Sequence, residues 1–332
     1  MPDSSLLILI PIIAFALGFG VVNGFNDAAN AIATSIGSRA LAPRQALIIA
    51  VIFNMLGAAT GTAVAQTVGK GVLIPEAITY QTIIAALAAV ILWTSVATYL
   101  GLPVSLTHGF VAALAMSGIA AVGTNAVNWG IIGTVLSAVI TAPVLGFIGG
   151  FIVMTIIFWA FRKSFPAKLR AVFSRLQIFS TAFMAYSHGK NDGQMPIGII
   201  TMAMVLYTGQ TDMWESIPWW IIIISALSIS FGTAIGGWRV IKTLGMRITN
   251  LRPEHGFAAQ TAAASVIEVA SHLGIPVSTT HSISAAVMGV GATKRLSAVR
   301  WGVAGNMVTA WVITFPVCGG LGYLFSWVIG LF

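Results

Sequence analysis

The chain has 332 residues, 58% of them apolar and only 7% charged, with sixteen Lys and Arg against eight Asp and Glu. Soluble domains carry roughly 25% charged residues, so this composition excludes a soluble fold and predicts an all-α polytopic membrane protein. The positive excess is dispersed over loops, as in the cytoplasmic loops of membrane proteins, which excludes a nucleic-acid-binding domain, and the single cysteine, Cys318, excludes a disulfide framework.

Met1 to Ser5 contains no basic segment, so the first apolar run is expected to stay rather than to be cleaved as a signal peptide. Apolar segments follow at 6–22 with 28–36, then 45–68, 79–100, 108–123 and 129–160. A basic amphipathic linker spans 162–175, and a second set lies at 176–187 with 193–207, 217–238, 258–273, 282–292 and 301–332. Inside the first segment, Gly24-Phe25-Asn26-Asp27-Ala28-Ala29-Asn30 sets an ionised side chain among apolar residues. A carboxylate at membrane depth costs at least ~2.5–3.5 kcal/mol, which marks it as a functional group in need of a partner.

The second set repeats the first. His188-Gly189-Lys190-Asn191-Asp192-Gly193-Gln194 restores the Asn-Asp pair, and Gly101-Leu102-Pro103-Val104-Ser105-Leu106-Thr107-His108 returns as Gly274-Ile275-Pro276-Val277-Ser278-Thr279-Thr280-His281. Gly61-Thr62-Ala63 matches Gly232-Thr233-Ala234, Val127-Asn128-Trp129-Gly130 matches Val299-Arg300-Trp301-Gly302, and Pro143 matches Pro316. Asp27 to Asp192 is 165 positions and Pro103 to Pro276 is 173, so the halves are collinear with small insertions. Such a series of matches in order marks a duplicated unit. The expected division is 1–161 as the first repeat, 162–175 as a cytoplasmic linker and 176–332 as the second repeat.

Equivalent loops differ in charge. Arg39 and Arg44 follow the first Asn-Asp segment, whereas Asp212 and Glu215 follow the second; after the next helix Lys70 and Glu76 face Arg239, Lys242, Arg247 and Arg252. Opposite bias in equivalent loops places them on opposite membrane faces, which makes the repeat an inverted one of about five membrane segments per half. Threaded so, Arg39, the linker, the 239–252 loop and Arg300 lie inside and both termini outside. The segments 79–123 and 258–292 either cross twice or dip as re-entrant hairpins. The runs 129–160 and 301–332 are either tilted single helices or helices broken at Pro143 and Pro316, leaving about ten to twelve segments.

Inverted repeats with broken helices are the architecture of secondary transporters, with the site near the midplane. Gly24 and Gly189 are expected to let the backbone leave helical geometry there. Asn26, Asp27, Asn191 and Asp192 then either coordinate a cation or a proton, or cap broken helices. The Pro-Val-Ser motifs read as helix starts, with Ser105, Thr107, Ser278, Thr279 and Thr280 as N-cap-type residues. Two such N-termini, one from each half, offer N–H and hydroxyl donors as a cradle for a small oxyanion. His108 and His281 either contact the anion, shuttle a proton or brace the turn. Glu268, whose counterpart is Ser95, is a candidate coupling-ion site or a carboxylate bonded within the bundle. Lys190 either pairs with Asp192 or attracts the anion. His188 and Asp192 are four residues apart, but no further ligand is evident and no metal centre is expected. His255 and His272 read as structural, and Trp93, Trp129, Trp219, Trp220 and Trp301 as interface anchors.

The two Asn-Asp motifs and the two Pro-Val-Ser-x-Thr-His motifs together resemble the inorganic phosphate transporter family, over nearly the whole chain. The resemblance implies symport of inorganic phosphate with H+ or Na+ through inverted repeats. It implies that Asn26, Ser105, Thr107, Asn191, Ser278, Thr279 and Thr280 contact phosphate and that Asp27 and Asp192 serve the coupling ion. Na+-coupled members carry a Glu on the second helix, where this chain has Asn54, and their second motif continues differently from Gly193-Gln194. Both departures look like the bacterial proton-coupled, low-affinity members, for which a metal–phosphate complex is the implied cargo.

The reading is therefore an H+-coupled phosphate symporter, multi-pass in a prokaryotic cytoplasmic membrane, and not an enzyme. A Na+-coupled version is the alternative, with a sulfate permease and an anion channel more remote. Paired buried carboxylates are superfluous to a channel, and duplicated copies on opposite faces fit alternating access better than one catalytic centre. Expected partners are inorganic phosphate, H+ or Na+, the lipid bilayer and a second copy of the chain as a homodimer; no cofactor is expected.

Overall fold

A computed structural model describes residues 6–331, so the expectation for Met1 to Ser5 lies outside the described residues. The first half comprises α1 (Leu6–Gly37), α2 (Pro43–Ala58), α3 (Ala63–Gly71), α4 (Tyr80–Leu100), α5 (Leu106–Val122) and α6 (Trp129–Ala160). The second comprises α7 (Pro166–Asp192), α8 (Gln194–Thr208), α9 (Trp219–Ile235), α10 (Trp238–Lys242), α11 (Pro253–His272), α12 (Thr279–Ala292) and α13 (Trp301–Ile329). Thus α1 corresponds to α7 with α8, α2 and α3 to α9 and α10, the pair α4–α5 to α11–α12, and α6 to α13. The basic segment 162–175 is no separate loop: from Pro166, a favoured first helical residue, it forms the opening turns of α7.

The halves interleave. Helix α1 packs on α9 and α2 on α7, while the α4–α5 pair packs on α13 and α11–α12 on α6. Contacts along α1 give its direction relative to its counterpart. Gly20 lies against Pro196, Asp27 lies 3.9 Å from His188, Ser35 bonds Thr181 at 2.5 Å and Ser38 bonds Gln177 at 2.8 Å. As α1 ascends from 20 to 38, the opposing chain descends from 196 to 177, so corresponding helices run antiparallel. Repeats related by an axis along the membrane normal would run parallel, so this is the geometry of an inverted repeat.

The hairpins resolve the open question of crossing or dipping. Left-handed Gly101 (φ 73°) and Gly274 (φ 69°) end α4 and α11, where a side chain would be strained. The proline two residues later starts the tip. The two tips touch, with the Thr280 hydroxyl 3.2 Å from the Val104 carbonyl. Tips that enter from opposite faces and meet cannot have crossed, so both pairs are re-entrant. Helices α6 and α13 run unbroken through Pro143 and Pro316 and turn residues such as Ile148, Ile152 and Val312 outward to the lipid. Among the described residues, four helices are long and apolar enough to cross a membrane alone, and six if α2–α3 and the bent pair beginning with α9 each count as one span.

Two expectations change. The backbone of α1 stays helical through Gly24, and the second half breaks one residue beyond Asp192, at Gly193. Gly24 and Gly189 serve close approach instead. A Cβ on Gly24 would overlap the Ile229 carbonyl of α9, and one on Gly189 the Asn54 carbonyl of α2. Small residues at such crossings let helix backbones touch. Trp129, Trp219 and Trp301 are exposed as anchors should be, whereas Trp93 donates its indole N–H to Thr314 across the α4–α13 contact.

Candidate functional site

The site forms where the middle of α1, the end of α7 and the first turns of α5 and α12 converge. Helix α5 starts with Ser105 accepting the His108 N–H at 3.3 Å, and α12 with Ser278 accepting the His281 N–H at 3.1 Å. The two serines are therefore N-caps, as expected, and the helix N-termini they cap lie at the touching tips. Behind them the histidine rings pack edge-on at 5.1 Å, with His281 stacked on Trp311 and His108 on Phe315 of α13. Of the three readings for this pair, that packing favours bracing.

Next to the caps, hydroxyls cross between halves. Thr107 of the first half donates to Asp192 Oδ1 at 2.9 Å, and Thr280 of the second donates to Asp27 Oδ1 at 2.9 Å. Thr279 adds a bond to Asp192 Oδ2 at 2.7 Å. Asn30 spans both threonines with its Nδ2, at 3.0 and 2.9 Å, and Asn26 donates to Thr98 at the end of α4. All these side chains are buried. The amide oxygens of Asn26 and Asn30 and both amide atoms of Asn191 have no hydrogen-bond partner among the described residues. Buried amides left so cost about 1–3 kcal/mol each, which suits a site that exchanges its internal bonds for bonds to a polar ligand.

His188 lies at the centre. Its Nε2 is 3.1 Å from Asp192 Oδ2 and 3.9 Å from Asp27 Oδ2, an ion-pair contact lying off the ring N–H axis rather than an aligned hydrogen bond. Its Nδ1 is 2.7 Å from Asn54 Oδ1. The tautomer follows from the relay behind it. Thr233 donates to the Ile229 carbonyl at 2.9 Å, so its oxygen must accept from Asn54 Nδ2, also at 2.9 Å. Asn54 therefore presents its carbonyl oxygen to His188, whose Nδ1 carries the hydrogen. One ligand atom from each of Asp27, His188 and Asp192 lies within 4.8 Å of the others. The third group that the sequence did not supply for a cation site beside His188 and Asp192 is thus Asp27.

A model of the "Phosphate transporter family" matches residues 23–322, which include every residue of this cluster. The chain belongs to the phosphate transporter family. A "Probable low-affinity inorganic phosphate transporter" of Bacillus subtilis is 40% identical, with 99% of each chain covered. A protein of the same description from Rhizobium meliloti is 40% identical over 93% of this chain and 92% of its own. A solved structure titled "The sodium-dependent phosphate transporter" superposes with a TM-score of 0.90 at 28% identity, covering 98% of this chain and 100% of that one. Family members of this kind are transporters, not enzymes, and the bacterial relatives imply the cytoplasmic membrane.

Within this phosphate transporter family member, the cluster brings together Asn26, Asp27, Ser105, Thr107, Asp192, Ser278, Thr279 and Thr280, and Asn191 is buried next to Asp192 in the chain. It does not gather Lys190 and Glu268. These two pair with each other, Lys190 also lying over the Tyr186 ring, and both are partly exposed. Lys190 precedes Asp192 by two residues, and positions so spaced on a helix point in different directions. Sequence reasoning set His188 aside for want of a further ligand, read Asn54 only as a departure from Na+-coupled members, and missed Asn30, Thr98 and Thr233. Asn30 had a signal, four residues after Asn26 on one helix face. Asn54, Thr98 and Thr233 each sit between apolar neighbours in the chain, and only the fold shows what they face.

Proposed function

We propose that this protein imports inorganic phosphate by symport with H+, the two inverted halves alternating access to the shared cluster. The observation that carries the proton reading is His188. With Nδ1 committed to Asn54, an unprotonated Nε2 would leave two electron-rich atoms, the ring nitrogen and a carboxylate oxygen, 3.1 Å apart with no proton between them in a fully buried site. A proton on either atom relieves that clash, so the cluster has a place to hold one.

Coupling follows from competition for donors. The hydroxyls of Thr107, Thr279 and Thr280 now bond the carboxylates of Asp192 and Asp27. An oxyanion between the two helix N-termini needs the same hydroxyls. A proton that neutralises a carboxylate weakens its hold on them and frees them for phosphate, so proton and phosphate raise each other's affinity by the same factor. Neutral donors and helix ends bind the anion without a fixed countercharge, which keeps release possible. Asp27, His188 and Asp192 also suit the divalent cation of a metal–phosphate complex.

Na+ coupling is the second reading, favoured by the name of the solved relative. Radiolabelled phosphate uptake into proteoliposomes, with pH and Na+ gradients imposed separately, decides between them. Concentrative uptake under the pH gradient alone is expected. Uptake driven only by Na+ would overturn the proton assignment, and no uptake under either would overturn symport.

A further inference from the structure

A polar stripe leads from the cluster to one end of the molecule. On α1, Asp27, Asn30 and Thr34 recur at helical spacing on one face, continued by Ser38 just past its end, whose N–H bonds the Thr34 carbonyl, and on α7, Asp192, His188, Thr181 and Gln177 do the same. The helices are antiparallel, so the stripes face each other. Ser35 bonds Thr181 at 2.5 Å, Ser38 donates to Gln177 at 2.8 Å, and Gln260 of α11 reaches Ser35 at 3.0 Å. Thr34 Oγ1 and Gln177 Nε2 are buried and have no partner among the described residues.

The stripe ends at a cavity of about 480 Å³ between the end of α1, the start of α7 and the start of α11, lined by Ser38, Arg39, Arg170, Ser174, Thr249 and Arg252 among others. The three arginines come from three separate segments. The only ion pairs among the described residues lie elsewhere, so none of the three guanidinium groups has a carboxylate partner. Charge bias of cytoplasmic loops accounts for arginines at this end; it does not account for three converging on one concave, hydroxyl-lined pocket without an acid. The equivalent cavity at the other end, about 380 Å³, holds Lys70 with Glu215 among Met202, Val205 and Leu206.

We propose that this arginine-lined cavity is a second binding site, selective for a phosphate group, at the inner end of the path from the central cluster. The proposal deepens the phosphate reading, since the same anion would pass from hydroxyl and amide donors to guanidinium forks, which match phosphate oxygens two at a time. The phosphate group could equally be that of an anionic lipid headgroup, and the test separates the two sources.

The test uses Ser174→Cys in purified protein. Ser174 lines the cavity, and the one native cysteine, Cys318, is fully buried, so labelling reads the cavity. Modification by a polar maleimide is followed in vesicles of phosphatidylcholine, with inorganic phosphate or with chloride at matched ionic strength, and in vesicles containing phosphatidylglycerol. Protection of at least fivefold by inorganic phosphate is expected, lost when Arg39, Arg170 and Arg252 are all changed to Gln. These arginines are exposed, so the triple variant keeps its fold. Protection by phosphatidylglycerol but not by phosphate, again lost in the triple variant, assigns the site to the lipid headgroup. No protection in either vesicle, or equal protection in the triple variant, overturns the site. Because labelling needs no transport, protection without gradient-driven uptake would sink the symporter reading while leaving this site standing.

Discussion

The two ends of the molecule are built on one repeated scaffold and closed by different chemistry. At the basic end, Ser35, Ser38, Gln177, Thr181 and Gln260 hold α1, α7 and α11 together by hydrogen bonds. The equivalent positions at the other end, 165 residues away on α1 and α7–α8 and 173 on α4 and α11, are Ile200, Ala203, Ile12, Ala16 and Leu87. All five are fully buried in one apolar cluster. Hydrogen bonds between hydroxyls and amides can be exchanged for bonds to an oxyanion at little net change, whereas apolar packing opens only by exposing the area it buried. Backbone symmetry thus supplies two equivalent closures, and side chains make them unequal.

The sharpest way to break this comparison is at the point the ends share. Asp192 is held by His188, Thr107 and Thr279, while Asp27 has Thr280 and a longer approach to His188. Asp192→Asn is expected to cut concentrative phosphate uptake by about 100-fold or more, roughly the worth of a lost buried charge-assisted network, and Asp27→Asn by less. Equal losses measured in proteoliposomes would mean that the halves contribute alike.

A smaller effect is expected from exchanging the chemistry of the ends. Gln260→Leu gives the basic end its counterpart's residue and removes a bond to the Ala31 carbonyl. Uptake should fall about tenfold, with a stability loss of only ~1–2 kcal/mol, because Ser35 and Thr181 retain each other. The reverse change, Leu87→Gln, buries an amide among apolar side chains and should cost ~1–3 kcal/mol in stability with uptake reduced only as far as folded protein is lost. Thermal unfolding in detergent, read beside uptake per folded molecule, checks both. If Gln260→Leu transports normally, the polar stripe is scaffolding.

The smallest effect belongs to Lys190 and Glu268, outside both closures. A double-mutant cycle with Lys190→Gln and Glu268→Gln should give a coupling below ~1 kcal/mol, as for partly exposed pairs. A larger value, or loss of uptake in Glu268→Gln, would draw this carboxylate back into the transport cycle.

Much of this was legible in the chain itself. The duplication, its inversion and the two capped helix starts depend on local order and loop charge, which a sequence carries directly. So does the presence of Asn26-Asp27 and Asn191-Asp192, since a buried carboxylate is costly wherever it lies. Composition and repeat determined that the protein is a polytopic helical bundle with a two-fold polar centre. Tertiary structure alone decided which polar residues belong to that centre. Lys190 was drawn toward Asp192 by sequence proximity, yet helical geometry turns it away to Glu268. His188 became central because α1 brings Asp27 to it from 161 positions away (188 − 27) and α2 brings Asn54 to fix its tautomer. Hydrogen bonds between distant helices depend on crossing points, and crossings are set by packing of whole helices rather than by any local stretch.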